Sequence, residues 1–410
     1  MSFNTALSGL RAASQNLAVT GNNIANGSTT GFKQSRTEFG DVYANSILGT
    51  GGRTPGSGVL VNAISQQFSQ GNISITNNSL DLAINGSGFF ILSNQGSPSY
   101  TRNGTFQLDN LGYVTSSDGA RLQGFAASPS GQILSGALSD LRIQTSDIAP
   151  NATSEVNLRF NLDSGETIPA VATFDTTNPN TYNWSTAATV YDSLGNSHVL
   201  TSYYVKGTPV APATDTPWTV YTDLDSSGTA HNAGTLTFDT TGALTSPASA
   251  ALNDSWVPGG GAATMNFAIN FSNSTQFGSD STVNALDQDG YAPGRLSGVR
   301  IDDSGIVFAN YTNGQALTLG QVALANFANP QGLSPIGNTA WTESFASGQP
   351  VIGAPQTGSR GAIQAGALEE SNVDLSSELV NLILAQRDYQ ANAKTIETSN
   401  AVTQTVINLR

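Results

Sequence analysis

Each end of the chain carries a helical apolar repeat with almost no charge beside it. That pairing limits the folds open to the chain more than any other feature. Near the N-terminus Phe3, Leu7, Leu10, Ser14, Leu17, Gly21 and Ile24 alternate by four and three. This is the a/d spacing of a helix that packs along one seam, with Ser14 and Gly21 as weak members. Arg11 is the one charged residue before Lys33. A helix without a charged face has no side suited to water and is normally buried all round. Asn26-Gly27 supply a stop, since both residues tolerate a left-handed cap.

The C-terminal end repeats the pattern at greater length. Leu375, Leu379, Leu382, Gln386, Tyr389, Ala393, Ile396, Asn400, Thr403 and Ile407 keep the same spacing, and Val380, Ile383, Leu384, Val402, Val406 and Leu409 add a second stripe. Asp374 stands at the N-cap position. No Gly or Pro interrupts the run, which as a helix is roughly 50 Å long. The two helices are expected to pair in a coiled-coil-like layer.

Between the ends the period changes. From about Asn72 to Gln356 the chain reads as short strands and turns. Val156, Leu158, Phe160 and Leu162 alternate as a half-buried strand, and Thr189 to Lys206 reads as a hairpin turning at Leu194-Gly195-Asn196. Asn103-Gly104, Asp118-Gly119, Ser304-Gly305 and Asn313-Gly314 are hairpin dipeptides. Residues 146–280 hold 12 acidic and two basic residues (Arg159, Lys206) and both histidines. They read as an outer β domain inserted into an inner one.

The expected fold is therefore mixed and mainly β, with nested all-β domains between terminal helices. Its parts are a helical domain of 1–30 with 372–410, a linker of 31–71 with 358–371, an inner β domain of 72–145 with 281–357, and the 146–280 insert. Gly49 to Gly58 is a Gly-rich connector, and Phe32, Phe39 and Tyr43 are candidate anchors of the linker.

The chemistry of the chain excludes several classes. A net charge of −14 disfavours nucleic acid. The absence of cysteine removes disulfides and thiolate metal sites. No window approaches 18 consecutive apolar residues, so no membrane insertion is expected. A basic start followed by an apolar h-region is missing too, which argues against a cleaved signal peptide. Asp223-Leu-Asp225-Ser-Ser-Gly228 begins like a calcium loop, but Gly234 stands where the bidentate Glu belongs. Asp287-Gln-Asp289-Gly290 is also short of ligands. His198 and His231 have no zinc-type partner spacing. No nucleophile elbow or phosphate loop occurs. The reading is of a non-enzyme without cofactor, metal or catalytic residues.

Several stretches carry a family resemblance. "NLAVTGNNIANGSTTGFK", which includes Asn23, Ile24, Ala25, Asn26, Gly31, Phe32 and Lys33, resembles the N-terminal signature of the bacterial flagellar rod and hook proteins. "LDLAINGSGFFIL" with "YTRNGTFQLDNLGYVTSSDGARLQGF" looks like their shared inner β domain. The block from Gly366 to Arg410 looks like their C-terminal region. "ATVYDSLGNSHVLTSYYVK", inside the insert, is similar to the outer domain of hook members.

The resemblance implies a self-assembling subunit of a flexible tube that transmits torque from rod to filament. Its terminal helices would order on assembly, with Phe3, Leu7, Leu10, Leu17, Ile24, Leu375, Leu379, Leu382, Tyr389, Ile396 and Ile407 at subunit interfaces. It also implies further copies of the chain, hook cap, distal rod and hook–filament junction proteins as partners. Export would run through a flagellar type III apparatus, without a cleaved signal, to an extracellular hook. Two alternatives stand beside this: a distal rod-type protein with an insert, and an extracellular adhesion or binding module.

Overall fold

The computed structural model describes residues 3–42, 56–129, 131–144, 146–209, 215–247, 249 and 251–408. Tyr43, Gly49 to Pro55 of the connector, Leu409 and the Val406 side chain lie outside them.

The terminal helices form where the repeats place them. The first, α1, spans Phe3–Ala25, and the second, α2, spans Leu375–Asn408. The Asp374 carboxylate accepts the N–H groups of Ser376 at 2.9 Å and Ser377 at 3.1 Å, which satisfies two donors at the start of α2. α1 stops before Asn26-Gly27 as expected, but neither residue is left-handed. The left-handed residue is Gly31, at φ 69°. Gly27 serves close approach instead, since a Cβ there would stand 2.6 Å from a Leu375 methyl carbon.

The chain divides into two compact units. One comprises Met1–Thr145, Gly298–Asn310 and Ala316–Arg410, the other Ser146–Ser297 and Tyr311–Gln315. In the first unit, thirteen strands of the described residues join one sheet, with Phe89–Asn94, Ser97–Thr101 and Arg121–Ala127 among its central members. Phe89, Ile91, Tyr100, Phe125, Phe327 and Trp341 fill its core. The rings meet edge to face: Phe89 and Trp341 centroids are 5.8 Å apart, and those of Tyr100 and Phe327 4.8 Å.

The second unit is a β-sandwich. Two five-stranded sheets face each other, and Val156, Leu158, Phe160 and Leu162 from one pack with Val190, Leu200, Tyr204, Trp218, Val220, Leu236 and Phe238 from the other. Glu155–Asp163 is the central strand of the first sheet; the hairpin of Trp184–Tyr191 with Ser197–Lys206 opens the second. The expected insert end at 280 moves outward. Thr282–Gln288 pairs antiparallel with Glu155–Asp163, so 281–297 belongs to this unit.

Both expected linker segments contain strands. Within 31–71, Ser35–Asp41 and Val59–Gln66 form an antiparallel ribbon with a bulge at Glu38/Phe39. Phe32 is half-buried, while Phe39 is exposed. Within 358–371, Ala362–Ala365 pairs with Leu82–Asn85, and Ala367–Glu369 pairs with Ile73–Ile75. The polar, Gly-punctuated composition that suggested linkers belongs to short paired strands.

Three of the four hairpin dipeptides turn as expected, with Gly119, Gly305 and Gly314 at positive φ. Asn103-Gly104 does not. A Cβ at Gly104 would meet the Leu82 carbonyl oxygen at 1.6 Å, and Leu82 N–H donates to Gly104 O at 3.0 Å. That glycine permits backbone contact between two segments.

Candidate functional site

The two helices pack through their small residues. Ala6, Ala12, Ala13, Thr20 and Asn23 are the buried positions of α1, and Ala385 and Glu378 are those of α2. A Cβ at Gly9 would stand 2.4 Å from Asn392 Oδ1, so this glycine leaves room for the Asn392 side chain of α2. The large apolar side chains are less completely covered. Leu7, Leu10, Leu17, Ile24, Leu382 and Ile396 are half-buried; Phe3, Leu375, Leu379, Tyr389 and Ile407 are exposed. So are Val380, Ile383, Leu384 and Val402 of the second stripe. The helices pair as expected, but the pairing leaves the apolar stripes largely uncovered.

Beneath the helix pair lies a polar clasp that joins the two chain ends to the first unit's sheet. Its centre is Glu369, fully buried. Lys33 Nζ donates to Glu369 Oε1 at 2.5 Å and to Ser69 O at 2.7 Å. Arg102 Nη1 donates to Glu369 Oε2 at 2.9 Å, and Arg102 Nη2 to Gly86 O at 2.8 Å. Gly71 N–H reaches Glu369 Oε1 at 2.9 Å. Burial works to raise the Glu369 pKa, but Arg102 and Lys33 outweigh it and hold the carboxyl below its ordinary value. Burial also pulls the Lys33 ammonium down from its ordinary value, and Glu369 draws it partly back.

A second layer of amide bonds extends the clasp. Asn23 Nδ2 donates to Ser35 O at 2.8 Å, and Ser35 N–H returns to Asn23 Oδ1 at 3.0 Å. Asn23 and Gln34 both donate to Glu378 on α2, at 3.3 and 2.6 Å. Gln34 N–H donates to Asn372 Oδ1 at 2.8 Å, and Asn372 donates to Gln67 O at 2.7 Å. Gly31 N–H bonds Glu369 O at 2.8 Å, and a Cβ on Gly31 would meet Asn103 N at 2.5 Å.

The family-motif residues Asn23, Gly31 and Lys33 are thus brought together within one chain, while Ile24, Asn26 and Phe32 flank them half-buried and Ala25 is exposed. Sequence reasoning missed their partners Glu369, Arg102, Glu378 and Asn372. The available signal was Lys33 itself, a rare cation at the end of an uncharged stretch.

The histidines have structural neighbours. His198 sits between Asp225, 2.6 Å from Nδ1, and Asp192, 3.3 Å from Nε2. His231 stacks on Trp256 with centroids 3.7 Å apart. Asp223 accepts Ser227 N–H at 3.0 Å inside its own turn, and Asp289 accepts the N–H groups of Ser154 and Glu155. Among the described residues no group of His, Cys, Asp and Glu is arranged to hold a metal ion, and no helix is long and apolar enough to cross a membrane.

Comparison with known proteins agrees with this layout from end to end. The family described as "Flagella basal body rod protein" matches residues 3–33, and "Flagellar hook protein FlgE/F/G D1 domain" matches 83–158. "Flagellar basal body protein FlaE D2 domain" matches 161–291, and "Flagellar basal body rod FlgEFG protein C-terminal" matches 364–409. The flagellar hook protein FlgE of Escherichia coli (strain K12) is 39% identical, with 100% of each chain covered. That of Treponema pallidum (strain Nichols) is 33% identical, with 98% of each covered. Among solved structures, the Helicobacter pylori flagellar hook protein FlgE2 shares the fold at a TM-score of 0.56 and 15% identity, over 72% of this chain and 100% of that one.

Proposed function

The chain belongs to the flagellar hook protein family and is a structural subunit of the hook; from that premise we propose how its parts build one. The observation that carries the reading is the division of labour on the terminal helices. Small residues pair α1 with α2, and the leucines and isoleucines remain available to neighbours. In a tube of many copies Phe3, Leu7, Leu10, Leu17, Ile24, Leu375, Leu379, Leu382, Tyr389, Ile396 and Ile407 are the subunit-interface residues. The clasp around Glu369 fixes the angle at which each helix pair leaves the sheet.

The acidic second unit forms the outer layer. Asn, Ser and Thr side chains there exchange hydrogen bonds with water and neighbours at small net cost, so contacts slide as the tube bends and transmits torque. The hook cap, distal rod and junction proteins meet the polymer's ends, and the chain leaves the cell through the flagellar type III apparatus. The family is a structural one, and its members are not known as enzymes.

The test is immunogold microscopy of intact flagella with antibody against residues 146–297. Gold on a short curved segment between envelope and filament is the expected result. Gold confined to the rod, or on the cell surface with bare flagella, would reject the reading.

A further inference from the structure

One large side chain of the first unit finds no partner among the described residues. Phe345 is fully exposed, at a relative exposure of 107%. Its loop is nevertheless firmly held. Ser344 Oγ donates to Gly332 O at 2.5 Å and accepts Ala346 N–H at 3.0 Å. Ser347, itself fully buried, donates to Ser344 O at 2.9 Å and accepts Ser344 N–H at 2.9 Å. Asn329 Nδ2 donates to Ala346 O at 3.1 Å, and a Cβ on Gly332 would meet Ala346 C at 2.4 Å.

A loop so tied down that holds a phenylalanine in water forfeits the burial of its largest apolar group. A rigid, pre-positioned aromatic is what a protein–protein contact uses, because little ordering remains to be done on binding.

Charge selects the partner. The second unit carries 14 acidic and 3 basic residues, so two copies repel there. The first unit carries 15 acidic and 12 basic residues and lets like copies approach. An open polymer requires heterologous contacts, in which a projection on one surface is received on a different one. We propose that Phe345 is such a projection, seated on the first unit of a second copy of this chain. The inference rests on the hook reading and adds to it a contact outside the terminal helices.

The test places photoreactive p-benzoyl-phenylalanine at position 345 and irradiates isolated hooks. A covalent dimer of this chain is expected, absent from dilute monomer. Monomer alone, or adducts to a different polypeptide, from hooks that contain the variant overturns the contact and leaves the hook reading standing. A second arm uses Phe345→Ser. The monomer should melt as before, while its assembly falls at least about fivefold. Unchanged assembly would also overturn the proposal.

Discussion

The second unit and the helix pair use apolar residues in opposite ways. In the sandwich every second residue of Glu155–Asp163 disappears from solvent, with Phe160 at 0% exposure. On α2, Leu379 is 51% exposed and Ile383 64%. Both segments show regular hydrophobic periodicity. The difference lies in what surrounds them: the strand meets another sheet of the same chain, whereas α2 meets one shorter helix that buries only Ala385 and Glu378 among the described residues of α2. Periodicity therefore tells which face will be buried, and the supply of partners in the chain tells whether one copy can bury it.

The sharpest way to break this comparison is to truncate both regions. Phe160→Ala removes a ring from a closed core and should destabilise the second unit by about 3–5 kcal/mol. The double change Leu379→Ser with Ile383→Ser should alter monomer unfolding by no more than about 0.5 kcal/mol per site, yet abolish assembly. Denaturant unfolding of the monomer and sedimentation of the polymer read the two effects. A helix variant that unfolds the monomer as badly as Phe160→Ala would end the distinction.

Comparable in size is the clasp, which is buried like the sandwich core but built from charges. Glu369→Gln leaves Lys33 and Arg102 without their shared counter-charge and should cost about 3–5 kcal/mol in the first unit alone. Acid should imitate the variant. The folded pKa of Glu369 lies below its ordinary 4.5, so its contribution is complete above that value and is lost as pH falls through the depressed one. Hydrogen exchange resolved by unit would show the first unit loosening in acid. Equal acid loosening in Glu369→Gln would assign the effect to other carboxylates.

The same contrast explains what the sequence made legible. The helices, the N-cap at Asp374, the alternating strand at Val156–Leu162 and the turn at Leu194-Gly195-Asn196 rest on local pattern, and they are where the pattern put them. The ribbon within 31–71 and the strands within 358–371 were not legible. Ser35–Asp41 pairs with Val59–Gln66 across a gap, and Ala367–Glu369 pairs with Ile73–Ile75 nearly the whole chain away, so neither segment reads as a strand by itself. The clasp was hidden for the same reason: Lys33 and Glu369 lie 336 residues apart. Local sequence shows a rare lysine and cannot show which carboxylate answers it.

The smallest expected effect separates the two units by alkali rather than acid. Both histidines lie in the second unit. A neutral imidazole donates from one nitrogen and presents a lone pair on the other. At His198 both nitrogens face carboxylates, Asp225 and Asp192, so the neutral ring would set a lone pair against an anion. Burial works to lower the His198 pKa, but these two carboxylates outweigh it and raise the pKa above its ordinary 6.5. A raised folded value means that the stabilisation is complete below 6.5 and disappears as pH climbs through the folded pKa. Alkali should then loosen the turns at Asp192–Asn196 and Asp225–Gly228 while leaving the helix pair untouched, since no histidine lies there. Histidine NMR titration gives the pKa, and exchange rates in the two turns give the consequence. In His198→Gln those turns should already exchange faster at neutral pH and no longer respond to alkali. If they respond as in the parent chain, the proton on His198 does not hold them.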